Sequence, residues 1–388
     1  MILTAQKPNE WARNSGYEII QTNDEYRESI KLVYSPYPAF QTGNIEVMKT
    51  AYDNPIVIKA KNIKLVIINN DRSKIKHNYK YLLISSNNDI LVDDQVNKEY
   101  WLQYLNILKK LDLGKWQFNE KNIEITQNIK NEDGLIFVGG QAHYGHWLVD
   151  HLPIILLCEK NKIRNKAGKY LTSQLNDFQI ETLQSLNIDI DVMQLNVGQS
   201  YINIINIEEI KIIAQLSIYK SYQLLRNNLS LNDNFYSKER ENSNKNRLYF
   251  ERGMQRGLKR VANEDQVIEY LKSENFDIVK PEELSINQKK LKLYNYDLFI
   301  STPGSAFFNF SIFSNLNAKI IYCIHESALY NKEIAVYGAS YYQCPDLYRT
   351  TLIPAFQPNL KNMKEPNYDE SCIIDIESIK KILDKLKN

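Results

Sequence analysis

A dense polar cluster lies in the stretch HYGHWLVDH, which holds three of the chain's five histidines and one aspartate. The cluster consists of His143, His146, Asp150 and His151. Side chains four residues apart on a helix lie one above the other, so a helix beginning near Gly145 would bring His146 and Asp150 together. A carboxylate, or a histidine paired with one, can take a proton from a hydroxyl group. The pair is therefore a candidate for general base catalysis.

The same stretch has two other interpretations. Imidazole and carboxylate groups also bind zinc or iron, which makes His143, His146 and Asp150 a candidate metal site. Their spacing matches no H-E-x-x-H signature or similar motif. The third interpretation is a helix N-terminus whose polar side chains are satisfied locally, above an amphipathic helix.

A basic cluster surrounds the segment RLYFE and the loop RGMQRGLKR that follows it. Its members are Arg247, Arg252, Arg256, Lys259 and Arg260. Guanidinium groups on a loop at the end of a strand can hold phosphate oxygens with two parallel hydrogen bonds. Runs of charge are also ordinary solvated surface, and that alternative stays open for Arg256 and Lys259.

A third candidate is STPGSAFFN, in which the apolar run YDLFI leads through Pro303, Gly304 and Ser305 into a phenylalanine-rich helix. A strand, a tight glycine turn and a helix leave backbone N–H groups and the positive end of the helix dipole facing outward, which suits an anion. The glycine could alternatively serve only the turn.

The elements that must position these residues alternate between strands and helices from residue 134 onward. Such alternation is typical of βαβ units and a parallel sheet, whose ligands bind beyond the carboxyl ends of the strands. Residues 1–110 are mainly β, and the segments 54–71 and 79–94 each predict a strand, a turn and a strand. In the tail, the spacing of Ile376, Ile379, Leu383 and Leu386 predicts a helix that docks back on the protein.

A chain of 388 residues exceeds the ~250–300 residues that one hydrophobic core usually serves, so two domains are expected. Few aliphatic residues occur in the stretch before residue 247, which indicates a linker. We predict an N-terminal domain over 1–235, a linker over 236–246, a C-terminal domain over 247–360 and a tail helix over 361–388. The fold class is α/β, with two Rossmann-like domains facing a crevice, a β-rich N-terminal segment and a C-terminal helix.

Composition excludes several classes of protein. The formal charge of +2 gives no overall field for nucleic acid, so no nucleic-acid partner is expected, although a local patch for peripheral membrane contact stays open. The four cysteines contain no C-x-x-C pair, which indicates a reducing cytoplasm rather than a disulfide scaffold. No apolar run reaches the ~18 residues of a membrane span, and no secretory signal is expected. We therefore predict a cytoplasmic protein, for which peripheral contact at the inner face of the membrane stays open.

Two βαβ domains, with phosphate-holding groups in the second and a His/Asp helix in the first, favour a GT-B-like glycosyltransferase. The motifs also resemble glycosyltransferase family 61. The stretch YGHWLVDHLPIILL is similar to a helix of that family, through His146, Trp147, Leu148, Asp150 and Pro153. The segment DFQIETLQSLNID resembles another. The long C-terminal signature is matched in order by Arg252, Arg260, Asn263, Glu264, Pro281, Glu282, Gln288, Gly304 and Asn309.

The resemblance implies an inverting enzyme of the GT-B fold that moves a sugar from a nucleotide-sugar donor to a hydroxyl of a glycan or lipid-linked glycan. It also implies a role in capsule or other surface-polysaccharide biosynthesis. We expect a UDP-sugar as donor substrate, no cofactor and no metal ion. The N-terminal domain would then bind the acceptor and the C-terminal domain the nucleotide sugar.

The predicted site has three parts. Asp150 is the first candidate base, with His146 as its partner or substitute. Some family members have an acidic residue where this chain has Tyr322, and Glu326 and His325 are nearby substitutes for holding the donor. The predicted donor site comprises Arg247, Arg252, Arg260, Gly304, Ser305, Asn309 and Glu326. The predicted acceptor side comprises His143, Tyr144 and Trp147.

Two alternatives belong to other classes. One is a non-catalytic protein of the same fold that binds a glycan or a nucleotide. The other is a metal-dependent hydrolase that uses His143, His146 and Asp150.

Overall fold

A computed structural model describes the chain in seventeen ranges. These are residues 2–22, 54–69, 79–93, 108–112, 115–118, 123–130, 134–139, 143–164, 168–195, 197, 202–216, 218–229, 247–255, 258–302, 304–325, 350–356 and 371–387. The chain forms two compact units, of which one comprises Met1–Arg27 and Ala51–Leu224 and the other Glu28–Thr50 and Leu225–Asn388. The predicted linker lies outside the described residues, and the predicted domain boundaries stay a prediction.

The first unit is built on one large mixed sheet. Its strands are β1 (Ile2–Gln6), β2 (Glu18–Gln21), β3 (Ile56–Asn69), β4 (Tyr79–Ile84), β5 (Asp89–Leu91), β6 (Leu108–Asp112), β7 (Lys115–Phe118), β8 (Ile123–Ile129), β9 (Ile136–Gly139), β10 (Tyr170–Thr172), β11 (Val192–Gln194) and β12 (Ile202–Ala214). The main order of strands is β11-β10-β9-β12-β3-β4-β5-β1-β7-β6, while β2 pairs with β3 and β8 with β12. The β-rich segment and the βαβ segment therefore share one sheet.

Helices follow or connect these strands. They are α1 (Pro8–Asn14), α2 (Tyr144–His146), a π-helical segment (Trp147–His151), α3 (Leu152–Lys160), α4 (Asp177–Ser185) and α5 (Ile218–Leu229), which crosses from the first unit into the second. Parallel pairing joins β9 to β10 and β10 to β11, as the βαβ pattern predicts. The carboxyl end of β9 thus leads toward α2 at the edge where parallel strands place ligands.

The segment 54–71 differs from its prediction. Instead of a strand, a turn and a strand, it forms the single long strand β3. Pairing with β12 continues on both sides of Asn62, since Ile63 lies opposite Ile207 and Lys61 opposite Glu209. Asn62 takes a positive φ of 52°, which asparagine tolerates better than most residues. The ladder with β12 therefore overrides the local turn signal, whereas 79–94 forms the predicted β4, turn and β5.

The second unit has a largely parallel sheet. The strands of this sheet are β13 (Arg247–Phe250), β16 (Phe276–Val279), β17 (Leu298–Ser301), β18 (Lys319–His325), β19 (Thr350–Phe356) and β20 (Ile373–Ile374). Two further strands, β14 (Met254–Gln255) and β15 (Leu258–Lys259), form a separate antiparallel pair. The order is β16-β13-β17-β18-β19-β20, and all neighbours are parallel except β19 and β20. Its other elements are α6 (Glu264–Ser273), a 3-10 turn (Pro281–Glu283), α7 (Ile286–Tyr294), α8 (Phe307–Phe313) and α9 (Ile376–Lys387).

Apolar layers cover both faces of this sheet. On one face, Ile379 and Leu383 of α9 are buried in a core that also includes Val267 and Leu271 of α6, so the predicted docking of the tail helix is confirmed. On another, Phe310 of α8 stacks on the ring of Phe250, with ring centroids 4.4 Å apart. The mixed α/β class is therefore confirmed. Among the described residues, no helix is long and apolar enough to span a membrane.

Candidate functional site

The helix that carries the histidine cluster changes its winding within one turn. The π-helical segment ends where Leu152 donates its N–H to the carbonyl of Trp147, five residues earlier. Pro153, the next residue, has no N–H to return to the carbonyl four residues before it, which favours a wider turn. The predicted helix is therefore present, with His146 at the end of α2 and Asp150 and His151 on the π turn that follows.

His146 and Asp150 are in direct contact. Nδ1 of His146 lies 2.6 Å from Oδ2 of Asp150. Because an ionised carboxylate can only accept, the imidazole donates from Nδ1 and carries its lone pair on Nε2. The His146 side chain is 40% exposed and that of Asp150 19%. The pair can therefore orient an imidazole and exchange protons with a solvated substrate.

The predicted acceptor side lies at the start of the same helix. His143 is the residue before α2, and its ring centroid lies 5.3 Å from that of His146. The ring of Tyr144 packs on Phe178 of α4 at 5.3 Å. Trp147, by contrast, has no exposed surface. The structure thus brings His143, Tyr144 and His146 together and places Trp147 inside the unit.

His151 is a buried histidine of the cluster to which the sequence analysis assigned no role. Nδ1 lies 2.8 Å from the carbonyl oxygen of Val138 at the end of β9, so the imidazole donates there. The pKa of His151 is lowered to about 4, and burial is the largest cause. Asp150 and the Val138 hydrogen bond act to raise this pKa, while the neighbouring His146 acts to lower it. Gly139 has a φ of +82°, and a Cβ there would lie 3.1 Å from Cε1 of His151. This neutral imidazole fixes the strand end to the π turn.

The metal alternative receives no support in this part of the chain. Within the ranges that the structure describes, no group of three or more His, Cys, Asp or Glu side chains is arranged to hold a metal ion.

In the second unit, Arg252 lies just beyond the carboxyl end of β13 and is only 8% exposed. Its guanidinium packs against Gly304, which follows β17 and has a φ of +132°. A Cβ on Gly304 would lie 2.7 Å from Nη2 of Arg252. Burial lowers the pKa of Arg252, yet a guanidinium stays protonated, so the site holds a buried positive charge.

Arg260 and His325 complete this strand-end cluster. Arg260 is half-buried, and its positive charge acts on both Arg252 and His325. His325 ends β18, and burial, followed by the charge of Arg260, lowers its pKa to about 4. Since β13, β17 and β18 are parallel neighbours, their carboxyl ends meet at one edge. The cluster combines positive charge with a neutral imidazole there.

Arg247 does not belong to this cluster. It begins β13, where its guanidinium donates to the carbonyl oxygen of Glu274 at 3.2 Å and lies 3.5 Å from the Glu274 carboxylate. Three residue steps in a strand separate it from the other end by about 10 Å. The prediction grouped Arg247 with Arg252 because they are close in sequence. In the structure, however, Arg247 lies at the amino end of β13 and Arg252 lies beyond its carboxyl end.

The glycine loop also differs from its prediction. Helix α8 has only seven residues, and the N–H groups of Phe307 and Phe308 bond back to Gly304 and Ser305. Asn309 is buried and donates to the carbonyl of Ala306 at 2.9 Å. Because α8 is so short, its helix dipole contributes little at this loop. The clear contribution of the loop is the space that Gly304 leaves for the guanidinium of Arg252. Glu326 and Arg256 lie outside the described residues, as does the side chain of Lys259.

A buried carboxylate behind Arg252 was not predicted as part of the site. Glu264, the first residue of α6, is 2% exposed. It accepts hydrogen bonds from the Tyr249 hydroxyl at 3.0 Å, the Arg252 N–H at 2.7 Å and the Gly253 N–H at 2.8 Å. The sequence signal was the Asn263–Glu264 pair that opens a helix after the arginine loop.

The sequence profile of the family described as Glycosyltransferase 61 matches residues 144–321. The match begins at the helix with the histidine cluster and ends within β18, so it contains His146, Asp150, Arg252 and Glu264. No curated protein matches the chain.

Proposed function

Since residues 144–321 form a glycosyltransferase family 61 domain, the chain is a glycosyltransferase, and we propose that it transfers a sugar from a UDP-sugar to a glycan hydroxyl with inversion. The observation that carries this proposal is the contact of 2.6 Å between the partly exposed His146 at the end of α2 and Asp150 of the π turn. A hydroxyl nucleophile needs a base at the moment it attacks, and this pair has the chemistry of one.

In the proposed reaction, His146 is the base and Asp150 orients it. The acceptor oxygen attacks the anomeric carbon while the bond from that carbon to the diphosphate breaks. The hydroxyl proton passes to Nε2 of His146, and the electron pair of the broken bond leaves with the diphosphate. Asp150 holds the ring through Nδ1 and stabilises the imidazolium that forms, as carboxylates do in other His–carboxylate pairs. Asp150, the first candidate from sequence, thus takes the supporting role.

We propose that Arg252 and Arg260 stabilise the leaving diphosphate. Negative charge grows on the phosphate oxygens as the bond breaks, and a cation that is already in place lowers the barrier. Arg252 is suited to this because its burial weakens screening by water. Gly304 lets the guanidinium of Arg252 lie close to the backbone that follows β17, and Ser305 is the next residue in the chain.

The acceptor is proposed to bind near His143 and Tyr144. We further propose that the two units adopt the GT-B arrangement, with the first on the acceptor side and the second holding the donor. Support comes from the parallel strands of each unit, whose carboxyl ends carry the candidate residues. A surface glycan, such as a capsule precursor carried on lipid at the inner face of the membrane, is the proposed acceptor class.

The test begins with a panel of nucleotide sugars in a thermal-shift assay, because a ligand that binds only the folded state raises the melting temperature. The best donor is then incubated with oligosaccharide acceptors, and both UDP release and the anomeric configuration of the product are measured. We expect acceptor-dependent UDP release with inversion. Donor binding without turnover would point to a binding protein, and acceptor-independent hydrolysis that EDTA abolishes would point to a metal-dependent hydrolase.

A further inference from the structure

Glu264 is a carboxylate that would be costly to bury without partners. A charged group taken out of water loses several kcal/mol unless hydrogen bonds replace its hydration. Here both oxygens are used: Oε1 accepts from the Tyr249 hydroxyl and the Arg252 N–H, and Oε2 accepts from the Gly253 N–H. Three hydrogen-bond donors therefore contact the carboxylate of Glu264.

Two of those donors are consecutive backbone N–H groups in the loop that follows β13. A carboxylate that bridges them fixes the direction in which the loop leaves the strand. Gly253 has a φ of +53°, a conformation that this bridge holds in place. The loop therefore has a defined path before any ligand arrives.

Arg252 is held from two sides as a result. Its backbone is tied to Glu264, and its guanidinium lies against the bare Cα of Gly304. The negative charge of Glu264 also favours the charged guanidinium and opposes the effect of burial. A cation that is fixed in advance stabilises a developing charge without having to reorganise.

We propose that Glu264 is a positioning residue of the donor site, which aims the guanidinium of Arg252 at the diphosphate. This inference rests on the proposed role of Arg252. It adds that the Arg252 contact depends on a carboxylate that does not itself touch the donor.

The central test is Glu264→Gln, which keeps the size of the side chain but replaces one carboxylate oxygen with an NH₂ group. That group cannot accept a hydrogen bond from the donor it faces. We expect UDP affinity to fall about tenfold, the scale of one charge-assisted hydrogen bond. The kcat at saturating donor should fall as well, while the KM for acceptor stays unchanged. Glu269→Gln is the matched control, because Glu269 is exposed on the same helix. Tyr249→Phe leaves the backbone bridge intact and should cost less than Glu264→Gln.

A double-mutant cycle separates positioning from general support of the fold. If Glu264 acts through Arg252, Glu264→Gln should weaken UDP binding little further in an Arg252→Ala background. Should Glu264→Gln not fold, Glu264→Asp keeps the charge but is too short to bridge both N–H groups, and it enters the same cycle. Additive losses, or a lower melting temperature with wild-type UDP affinity, would refute the positioning role.

The controls also separate this inference from the proposed function. UDP and inorganic pyrophosphate are the probes. Wild-type protein that binds neither would overturn the donor site itself, and the positioning role with it. Wild-type binding that Glu264→Gln leaves unchanged would overturn only the role of Glu264.

Discussion

Each unit has a glycine at the end of a strand that lies against a buried polar side chain, and we propose different chemistry for the two units. In the first, Gly139 has a positive φ of 82° and lies against the ring of His151. In the second, Gly304 has a φ of 132° and lies against the guanidinium of Arg252. Each glycine lets a buried polar side chain approach the backbone where parallel strands end.

The difference lies in exposure and charge. The His146 side chain of the first unit is 40% exposed and shares a hydrogen bond with a carboxylate, so it can exchange a proton. Arg252 of the second unit is 8% exposed and permanently charged, so it acts on a nearby negative charge with little screening. Proton transfer requires access, whereas charge stabilisation is strongest where water is excluded.

Proton transfer is the role proposed for the first unit, and substitution there should have the largest effect. We expect His146→Ala to lower acceptor-dependent transfer by ~10² to 10⁴-fold. Asp150→Asn should cost less, because it leaves the imidazole but loses the negative partner. UDP affinity, measured by calorimetry, should stay at the wild-type value in both variants. A larger loss in Asp150→Asn than in His146→Ala would return the role of base to Asp150.

Acid should destabilise the protein through one histidine in each unit. A group whose pKa falls from 6.5 to about 4 on folding binds its proton more tightly when unfolded. The stability is therefore complete above pH 6.5 and falls as the pH drops toward 4, by about 3 kcal/mol for each of His151 and His325.

Tryptophan fluorescence can show which unit loses stability in acid. All four tryptophans belong to the first unit. In urea unfolding between pH 7.5 and 4.5, we expect His151→Gln to flatten the pH dependence of the fluorescence transition. His325→Gln should instead flatten a transition seen by far-UV circular dichroism. A fluorescence transition whose pH dependence His151→Gln leaves unaltered would contradict the assignment.

The charge stabilisation proposed for the second unit predicts unequal roles for Arg252, Arg260 and Arg247. Arg252→Ala should weaken UDP binding by ~1.5 to 3 kcal/mol, because it removes a buried, charge-assisted contact. Arg260→Ala should lie at the lower end, since Arg260 is half-buried. Arg247→Ala is the matched control at the other end of β13 and should bind UDP normally. Equal losses in Arg247→Ala and Arg252→Ala would mean that overall positive charge, and not the strand-end site, attracts the nucleotide.

Substitution of Gly139 and Gly304 should have the smallest effects and compares the two units most directly. Alanine at either position should cost about 1 kcal/mol of stability for its positive φ. Gly304→Ala should also weaken UDP binding a few-fold, because its Cβ would lie 2.7 Å from Nη2 of Arg252. Gly139→Ala should lower transfer and leave UDP affinity alone. The same calorimetric and transfer assays check both, and a swap of these effects would reverse the assignment of the two units.

Much of this arrangement could be predicted from local sequence. A helix brings side chains four residues apart close together, so the contact between His146 and Asp150 could be predicted from their spacing. The apolar spacing of Ile379 and Leu383 likewise predicted a docked tail helix. These predictions succeeded because each depends on the spacing of residues within a single helix.

The rest depended on partners that are distant in sequence. The long ladder with β12 makes the segment 54–71, for which a strand, a turn and a strand were predicted, the single strand β3. The importance of Glu264 is visible only once α6 folds back on β13 and meets Tyr249. Gly304 looked like part of an anion-binding helix end, yet its clear role is to make room for Arg252.

The ladder between β3 and β12 has a consequence for synthesis on the ribosome. Ile56 pairs with Ala214 and Ile68 with Ile202, so the two strands are separated by roughly 130 residues of chain. β9, which leads toward the histidine helix, also pairs with β12. The helix therefore leaves the ribosome before the strand that completes its sheet exists. Until β12 emerges, the edge of β3 that pairs with β12 stays open, although β2 and β4 already pair with the other edge. This stage of synthesis is when the nascent chain most needs protection by a chaperone.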